Sequence, residues 1–131
     1  MTPGKERLLF ATFPHVFALR LKAYSPLNNG LCCGDGWYDI IHDFSTSLEE
    51  ELKALKQKSD DGPVIGVVEV KEREGVLSMR MEPSALITQS MTAAIKKAVK
   101  RSKITCEICG ESGKSRMHKG MRQTLCKKGH R

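Results

Sequence analysis

The sequence predicts an α+β fold in which helices pack on a β-hairpin, followed by a small module rich in Cys and His. Three observations predict it: an apolar stripe at helical spacing over residues 37–58, two β-forming runs around a Glu-Gly turn over residues 64–82, and a Cys/His pattern near the C-terminus. A chain of 131 residues suffices for one modest core. We therefore expect a body over residues 1–102 and a module over residues 103–131.

The first segment, residues 5–24, is predicted to be helical on both sides of Pro14, because its apolar residues recur three and four positions apart. Pro14 and Arg20 interrupt this apolar stretch, so it matches neither a signal peptide nor a membrane span. An odd number of cysteines, five in all, also argues against a secreted disulfide scaffold. We therefore expect a cytoplasmic protein.

The strongest helix pattern covers residues 37–58. Asp35 is the predicted cap, and the stripe that faces the core consists of Trp37, Ile40, Ile41, Phe44, Leu48, Leu52 and Leu55. The outer face is acidic and is either solvated or a binding surface, with Asp39, Asp43, Glu49, Glu50 and Glu51. Residues 59–63 are predicted to end this helix.

The two β-forming runs are predicted to pair as a hairpin. Residues 64–71 are rich in β-branched side chains, and residues 76–82 alternate between an apolar and a polar face. Glu74 and Gly75 supply the turn between them. A hairpin of two strands is only marginally stable, so we expect the neighbouring helices to cover it.

A third helix is predicted to start at Pro83-Ser84, with Ser84 as its cap. Its inward face consists of Ile87, Met91, Ala94, Ile95 and Ala98. The end of this helix is basic, which complements the helix dipole and leads into the C-terminal module.

The C-terminal module contains a metal-ligand pattern. Cys106-x2-Cys109 and Cys126-x3-His130 are separated by sixteen residues. A CxxC turn presents two thiolates to one ion, and a later pair completes a tetrahedron of soft and borderline ligands, as in structural zinc sites. The spacing therefore predicts a zinc-ribbon-like module with structural Zn²⁺. His118 is an alternative fourth ligand, and disulfides or free thiols are the alternative to a metal site.

Positive charge is concentrated in the same part of the chain. Residues 1–95 contain ten Lys/Arg and thirteen Asp/Glu, a formal charge of −3, whereas residues 96–131 contain twelve and two, a formal charge of +10. Such a surface attracts phosphates or an acidic protein, and a solvated face is the alternative. The candidate binding residues are Lys97, Lys100, Arg101, Lys103, Lys114, Arg116, Lys119, Arg122, Lys127 and Lys128.

Three segments carry a resemblance to a known group of proteins. They are Cys-Gly-Asp-Gly-Trp-Tyr with a later Ile (residues 33–41), Val-Glu-Val-Lys-Glu with a later Gly and Leu (residues 68–77), and Ser-x-x-Thr-Cys-Glu-x-Cys-Gly with Thr-Leu-Cys-x-x-x-His (within residues 102–130). The chain resembles a widespread family of small, mostly uncharacterised proteins encoded by phages and prophages. The resemblance implies a phage origin and the zinc ligands named above. The chain departs from the family at residues 74–80, which lack its usual aromatic residues, and at Gly120-Met121, where the family tends to have Gly-Trp.

Three classes of function fit these features. The first is a non-enzymatic phage accessory protein that binds a host protein or nucleoprotein complex through its charged surfaces and inhibits a host defence system, as anti-CRISPR proteins do. The second is a direct DNA- or RNA-binding protein whose basic tail has no aromatic residue for base stacking. The third is a His-metal-type nuclease with His118 as general base, although Glu111 is the only carboxylate between Cys109 and Cys126. We expect the first class, with neither enzymatic activity nor a membrane partner.

Overall fold

The computed structural model of the chain describes residues 1–58, 63–128 and 130, with the backbone alone at residues 57 and 58. Its helices are α1 (Pro3–Thr12), α2 (Tyr38–Lys58) and α3 (Gln89–Ser102), and its strands are β1 (Gly66–Arg73), β2 (Val76–Glu82), β3 (Lys114–His118) and β4 (Met121–Leu125). β1 pairs with β2 and β3 pairs with β4, both antiparallel. The predicted α+β class is confirmed, and the grouping of Cys and His near the C-terminus is compatible with a small zinc module.

The long helix α2 forms one side of the core. It follows a short 3-10 turn, Asp35–Trp37, and its predicted stripe is buried from Trp37 through Leu52. Leu55, predicted to face the core, is exposed. The helix end predicted at residues 59–63 lies outside the described residues except for Pro63.

The segment before this helix is only half helical. α1 ends at Thr12, and residues 14–24 form turns, so the predicted second helical half was wrong. The Glu49 carboxylate on α2 accepts hydrogen bonds from the backbone N–H groups of His15 and Val16, both at 3.0 Å. The carboxylate thus satisfies donors that a helix would bond internally, and the proline that opens the segment cannot donate at all.

The first hairpin matches its prediction closely. β1 begins two residues later than predicted, and Leu77, Met79 and Met81 on β2 are buried as expected. The turn residues Glu74 and Gly75 both have positive φ, 53° and 83°, which a two-residue hairpin turn requires. The apolar face of the hairpin packs into the same core as α2.

The predicted start of the third helix was wrong. Ser84–Leu86 is a separate 3-10 turn, and α3 starts at Gln89 with Thr88 as its cap, the Thr88 hydroxyl accepting from the Met91 N–H at 3.3 Å. The extended backbone of Ile87, at ψ 122°, interrupts the helix between the two segments. Glu51 on α2 accepts a hydrogen bond from the Thr88 hydroxyl at 3.1 Å, which fixes the cap against α2.

Residues 32–37 link the first hairpin to the C-terminal module. Cys32 pairs with the outer edge of β1, its N–H donating to the Val70 carbonyl and its carbonyl accepting from the Glu72 N–H, both at 3.0 Å. The chain then turns at residues 34–37, which we call the glycine corner because residues 34 and 36 are glycines. Because Cys32 runs parallel to β1 near Lys71, this pairing places the glycine corner near the turn end of the hairpin, where the module packs.

Candidate metal centre

Two turns bring the predicted ligands together. Cys106 and Cys109 lie in the turn after α3, and Cys126 and His130 lie after β4. The four ligand atoms, three sulfurs and one ring nitrogen, all lie within 4.8 Å of one another. Such a group can bind a metal ion.

The distances within the group fit four-coordinate geometry. The Cys109 and Cys126 sulfurs are 3.7 Å apart, and the Cys126 sulfur is 3.3 Å from Nε2 of His130. A tetrahedral ion with metal–sulfur bonds of about 2.3 Å and a metal–nitrogen bond of about 2.0–2.1 Å places two sulfurs about 3.8 Å apart and a sulfur and a nitrogen about 3.6 Å apart. These two distances are therefore close to those that an ion of this size requires.

His118, the alternative fourth ligand, lies outside this group. It is on β3, paired with Met121 near the end of the second hairpin. Within the part of the chain that the structure describes, the four-residue cluster is the only group of three or more Cys, His, Asp or Glu side chains close enough to share an ion. His130 is thus the histidine that the fold brings to the cysteines.

The backbone around Cys106 favours the thiolate that a metal needs. Burial opposes ionisation of Cys106, but the backbone N–H groups of Cys109, Cys126 and Ile108 point at its sulfur and lower its pKa to about 7. Gly110 follows the turn with φ +83° and donates its N–H to the Cys106 carbonyl at 2.9 Å. The turn therefore holds the Cys106 sulfur close to the backbone N–H groups that stabilise its thiolate.

The ligand turn packs directly on the glycine corner of the body. Glu107, between the two ligand cysteines, accepts the Gly36 N–H with its carbonyl at 2.7 Å and the Gly34 N–H with its carboxylate at 2.9 Å. Burial raises the pKa of the Glu107 carboxyl, and the Gly34 N–H stabilises its charged form. The carboxylate is thus part of the contact between module and body.

The two glycines make this contact possible. A Cβ at position 36 would lie 2.1 Å from the Cys106 carbonyl oxygen, and a Cβ at position 34 would lie 2.4 Å from the Glu107 carbonyl oxygen. Both distances are far shorter than a real carbon–oxygen contact, so any residue with a side chain would push the module away. The next residue, the fully buried Trp37, donates its indole N–H to the Thr105 carbonyl at 2.9 Å.

A second contact joins β4 to the turn of the first hairpin. The Thr124 hydroxyl donates to the Gly75 carbonyl at 2.6 Å, and the Thr124 carbonyl accepts from the Glu107 N–H at 3.0 Å. Thr124 is almost completely buried. The module is thus packed on the body at two places, through the ligand turn and through β4.

The sequence did not predict the contacts of the ligand turn and of β4 with the body. It suggested a module that follows the body along the chain, not one that packs on it. The sequence predicted Trp37 as a core residue and Asp35 as a helix cap, but Gly34 and Gly36 appeared only within the segment that carries the resemblance. The available signal was the pair of glycines beside a tryptophan, which indicates a close backbone approach but not its partner.

Four of the ten predicted binding residues make defined contacts within the chain. Arg101 pairs with Asp43 at 2.7 Å, Arg116 donates its Nε–H to the Leu125 carbonyl at 3.1 Å, and Lys128 lies 3.4 Å from Glu111. The Arg122 guanidinium donates to the Ser115 hydroxyl at 2.8 Å but is exposed, as are the six remaining lysines, Lys97, Lys100, Lys103, Lys114, Lys119 and Lys127.

The acidic face of α2 is largely engaged in the fold. Glu49 caps the turns after α1, Glu51 accepts hydrogen bonds from the hydroxyls of Thr88 and Ser90, and the Arg101 guanidinium holds the pKa of Asp43 below its usual range. Asp39 and Glu50 are exposed. The basic surface is therefore the larger of the two charged surfaces that remain free for a partner.

Comparison of the chain with family models, curated proteins and solved structures finds no match. Among the described residues, no helix has both the length and the apolar content needed to cross a bilayer. The geometry of the module and its charges therefore carry the functional argument.

Proposed function

We propose that the ion bound by this cluster is Zn²⁺ and that its role is structural. Three thiolates and one imidazole are a donor set that zinc prefers, and the four ligand atoms lie close enough together to share one tetrahedral ion. Four protein ligands leave no coordination position for a substrate. When bound, the ion supplies folding free energy to a module that has little apolar core of its own.

We further propose that the protein is a non-enzymatic binding protein whose basic surface contacts a host nucleoprotein complex. The observation that carries this proposal is the lack of neutralising charge: residues 112–128 contain six Lys/Arg and no Asp or Glu. Of the two nearby carboxylates, Glu107 is buried against the glycine corner, and Glu111 is paired with Lys128. An uncompensated basic surface attracts the phosphates of such a complex and accelerates association.

The resemblance to phage-encoded proteins implies the biological setting. We propose that the protein acts in the host cytoplasm and that its binding inhibits a defence complex, as anti-CRISPR proteins do. A small protein can do this without catalysis, because occupying a nucleic-acid-binding surface is sufficient to block it.

Direct binding of DNA or RNA is the second candidate, and the same basic residues favour it. The nuclease hypothesis has less support, because His118 lies apart from the metal cluster and the described residues contain no second ligand group for a catalytic ion. We therefore propose binding without cleavage.

Capture from a bacterial host lysate tests the proposal. The tagged protein should retain nucleic acid together with its associated proteins, and Lys114→Gln with Lys119→Gln should reduce that capture. Lys53→Gln with Lys56→Gln is the matched control, because it removes two exposed lysines from α2 and gives the same net charge. Capture that is equally strong with both variants would contradict a role for the basic surface.

Measurement of the zinc content tests the metal assignment separately. We expect one equivalent of zinc per chain in the parent protein and its loss in Cys126→Ser.

A further inference from the structure

The second hairpin, β3–β4, is an exposed two-stranded ribbon. Among the described residues its strands pair only with each other, from Lys114↔Leu125 at the base to His118↔Met121 at the tip. Lys119 and Gly120 form the turn, with φ 50° and 79°. The base is fixed, because Leu125 is buried in one cluster with Cys106 and Cys126, and the Thr124 hydroxyl donates a hydrogen bond to the body. The other end extends into solvent.

The tip combines charge with exposed apolar side chains. Lys119 and Arg122 are exposed, and Met117 and Met121 are 62% and 61% exposed. Paired residues of an antiparallel ribbon share a face, so Met117 lies beside Arg122 on one face and Met121 beside His118 on the other. Neither methionine belongs to the buried clusters of the described residues. Exposed methionines within a cationic surface are suited to contact a partner that is both anionic and partly apolar.

The ribbon has the dimensions of a groove-binding element. Five residues per strand give a length of about 17 Å. The major groove of B-form DNA is about 12 Å wide and admits a two-stranded ribbon. Phosphates flank the groove, and its floor offers base edges and thymine methyl groups for guanidinium and apolar contacts.

The composition of the module favours duplex DNA over other nucleic acids. Residues 103–131 contain no Phe, Tyr or Trp, whereas proteins that bind single strands rely on aromatic side chains to stack on bases. Double-stranded RNA has a deep, narrow major groove that side chains cannot read. A ribbon without aromatic residues is therefore best matched to B-form DNA.

We propose that the β3–β4 ribbon inserts tip-first into the major groove of duplex DNA, with Lys119 and Arg122 contacting phosphates. Met117 and Met121, on the two opposite faces of the ribbon near its tip, then contact base edges and thymine methyl groups on either side. This inference rests on the proposed binding function and specifies the element and the nucleic acid that it contacts. The metal cluster and the contact of β4 with the body hold the base of the ribbon, so it enters the groove as a rigid unit.

The first experiment measures the affinity of the zinc-loaded protein for a 20-bp DNA duplex over a range of salt concentrations. Lys119→Gln with Arg122→Gln should weaken binding about 10-fold and reduce the log–log salt slope by about 1.8, because two phosphate contacts are lost. The control variant, Lys53→Gln with Lys56→Gln, should leave the slope unchanged. Equal effects of the two variants would mean diffuse attraction by net charge and would overturn the assignment to the ribbon.

The second experiment isolates the apolar contacts. Met117→Gln with Met121→Gln should weaken duplex binding several-fold at every salt concentration while leaving the slope unchanged, because no charge is removed. Guanine N7 atoms, which face the major groove, should be protected from methylation in the complex. Protection of adenine N3 in the minor groove instead would overturn the proposed docking geometry.

A third set of measurements separates this inference from the proposed function. Tighter binding to the single strand or to an RNA duplex of the same sequence would overturn the choice of duplex DNA. Failure to bind any purified nucleic acid, with capture from lysate still dependent on Lys114 and Lys119, would overturn the ribbon inference and leave the proposed function standing. Zinc content and circular dichroism of every variant confirm that the ribbon is folded.

Discussion

The body and the metal module (residues 103–130) are stabilised by different interactions. Among the described residues, the main core buries twenty residues from the body, whereas the apolar cluster of the module consists of Cys106, Leu125 and Cys126, two of which belong to the candidate metal cluster. Burial of about one apolar side chain contributes only about 1.5–3 kcal/mol, far less than ordering the module costs. We therefore expect the module to depend on the proposed ion and on its packing against the body, and the body to depend less on the module.

The largest expected effect is that of metal loss. Removing zinc by chelation, or replacing Cys109 with Ser, should unfold the module, since structural zinc binding contributes about 10–16 kcal/mol in small zinc peptides. Hydrogen exchange should show β3 and β4 losing protection while α2 keeps it. The fluorescence of Trp37, the only tryptophan, should shift to the red as the indole loses its contact with Thr105.

Cys32→Ser provides the matched control for this prediction. Cys32 is exposed and lies outside the metal cluster, so the substitution should leave both zinc content and exchange rates unchanged. Full protection of the ribbon in metal-free protein would show that packing on the body alone is sufficient to fold it.

The next largest effect should come from the glycine corner. In Gly36→Ala the new Cβ would meet three backbone atoms of Cys106 and Glu107 at 2.1–2.6 Å, so either the corner or the ligand turn must move. We expect a loss of about 3 kcal/mol or more in unfolding free energy, together with weaker zinc binding. Urea denaturation and a competitive zinc titration measure the two effects.

Gly4→Ala is the opposite case, because a Cβ at Gly4 in α1 has no neighbour within 4 Å. This substitution should be neutral or stabilise the protein by up to about 1 kcal/mol, since alanine favours the helix. A Gly36→Ala variant as stable as Gly4→Ala would disprove the tight contact between module and body.

A smaller effect is expected at the second contact between the two regions. Thr124→Val preserves shape and strand preference but removes the buried hydroxyl that bonds the Gly75 carbonyl at 2.6 Å. The cost should be about 1–2 kcal/mol, because that carbonyl loses its partner. The control is Thr46→Val, which removes an exposed hydroxyl from α2 and should change the free energy of unfolding by less than about 0.5 kcal/mol. Thermal unfolding of both variants measures the difference. Equal effects of the two substitutions would show that the Thr124 contact contributes little.

The two regions also differ in how much of their structure could be predicted from the sequence. Periodicity predicted α2 and the β1–β2 hairpin, because both elements bury one face along a regular pattern. Spacing predicted the three cysteines and His130 as a cluster, with His118 as the alternative fourth ligand, because both ligand pairs lie in local turns. Residues 14–24 were predicted wrongly because Glu49, more than twenty residues away, supplies their hydrogen-bond acceptor. The contact between Gly36 and Glu107 spans 71 positions, and no local pattern can indicate such a partner.

The smallest expected effect concerns the Asp43–Arg101 ion pair, which joins α2 to the end of α3 beside the module. The hydrogen bond from Arg101 lowers the pKa of Asp43 below its ordinary value of 3.8. A carboxyl whose pKa is lowered in the folded state stabilises the fold at pH values above its pKa in the unfolded state. This contribution is lost as the pH falls through the pKa of the folded state. Both side chains are largely exposed, so the contribution at neutral pH should be less than about 1 kcal/mol.

An NMR titration of the Asp43 carboxyl tests this pair more directly than stability does. Its midpoint should lie below 3.8 in the parent protein and return towards that value in Arg101→Gln, with the difference shrinking in high salt. An unchanged midpoint in Arg101→Gln would mean that the arginine does not neutralise Asp43. Arg101 would then be free to join the lysines of α3 on the basic surface, and α3 would become a competitor of the β3–β4 ribbon for the nucleic acid.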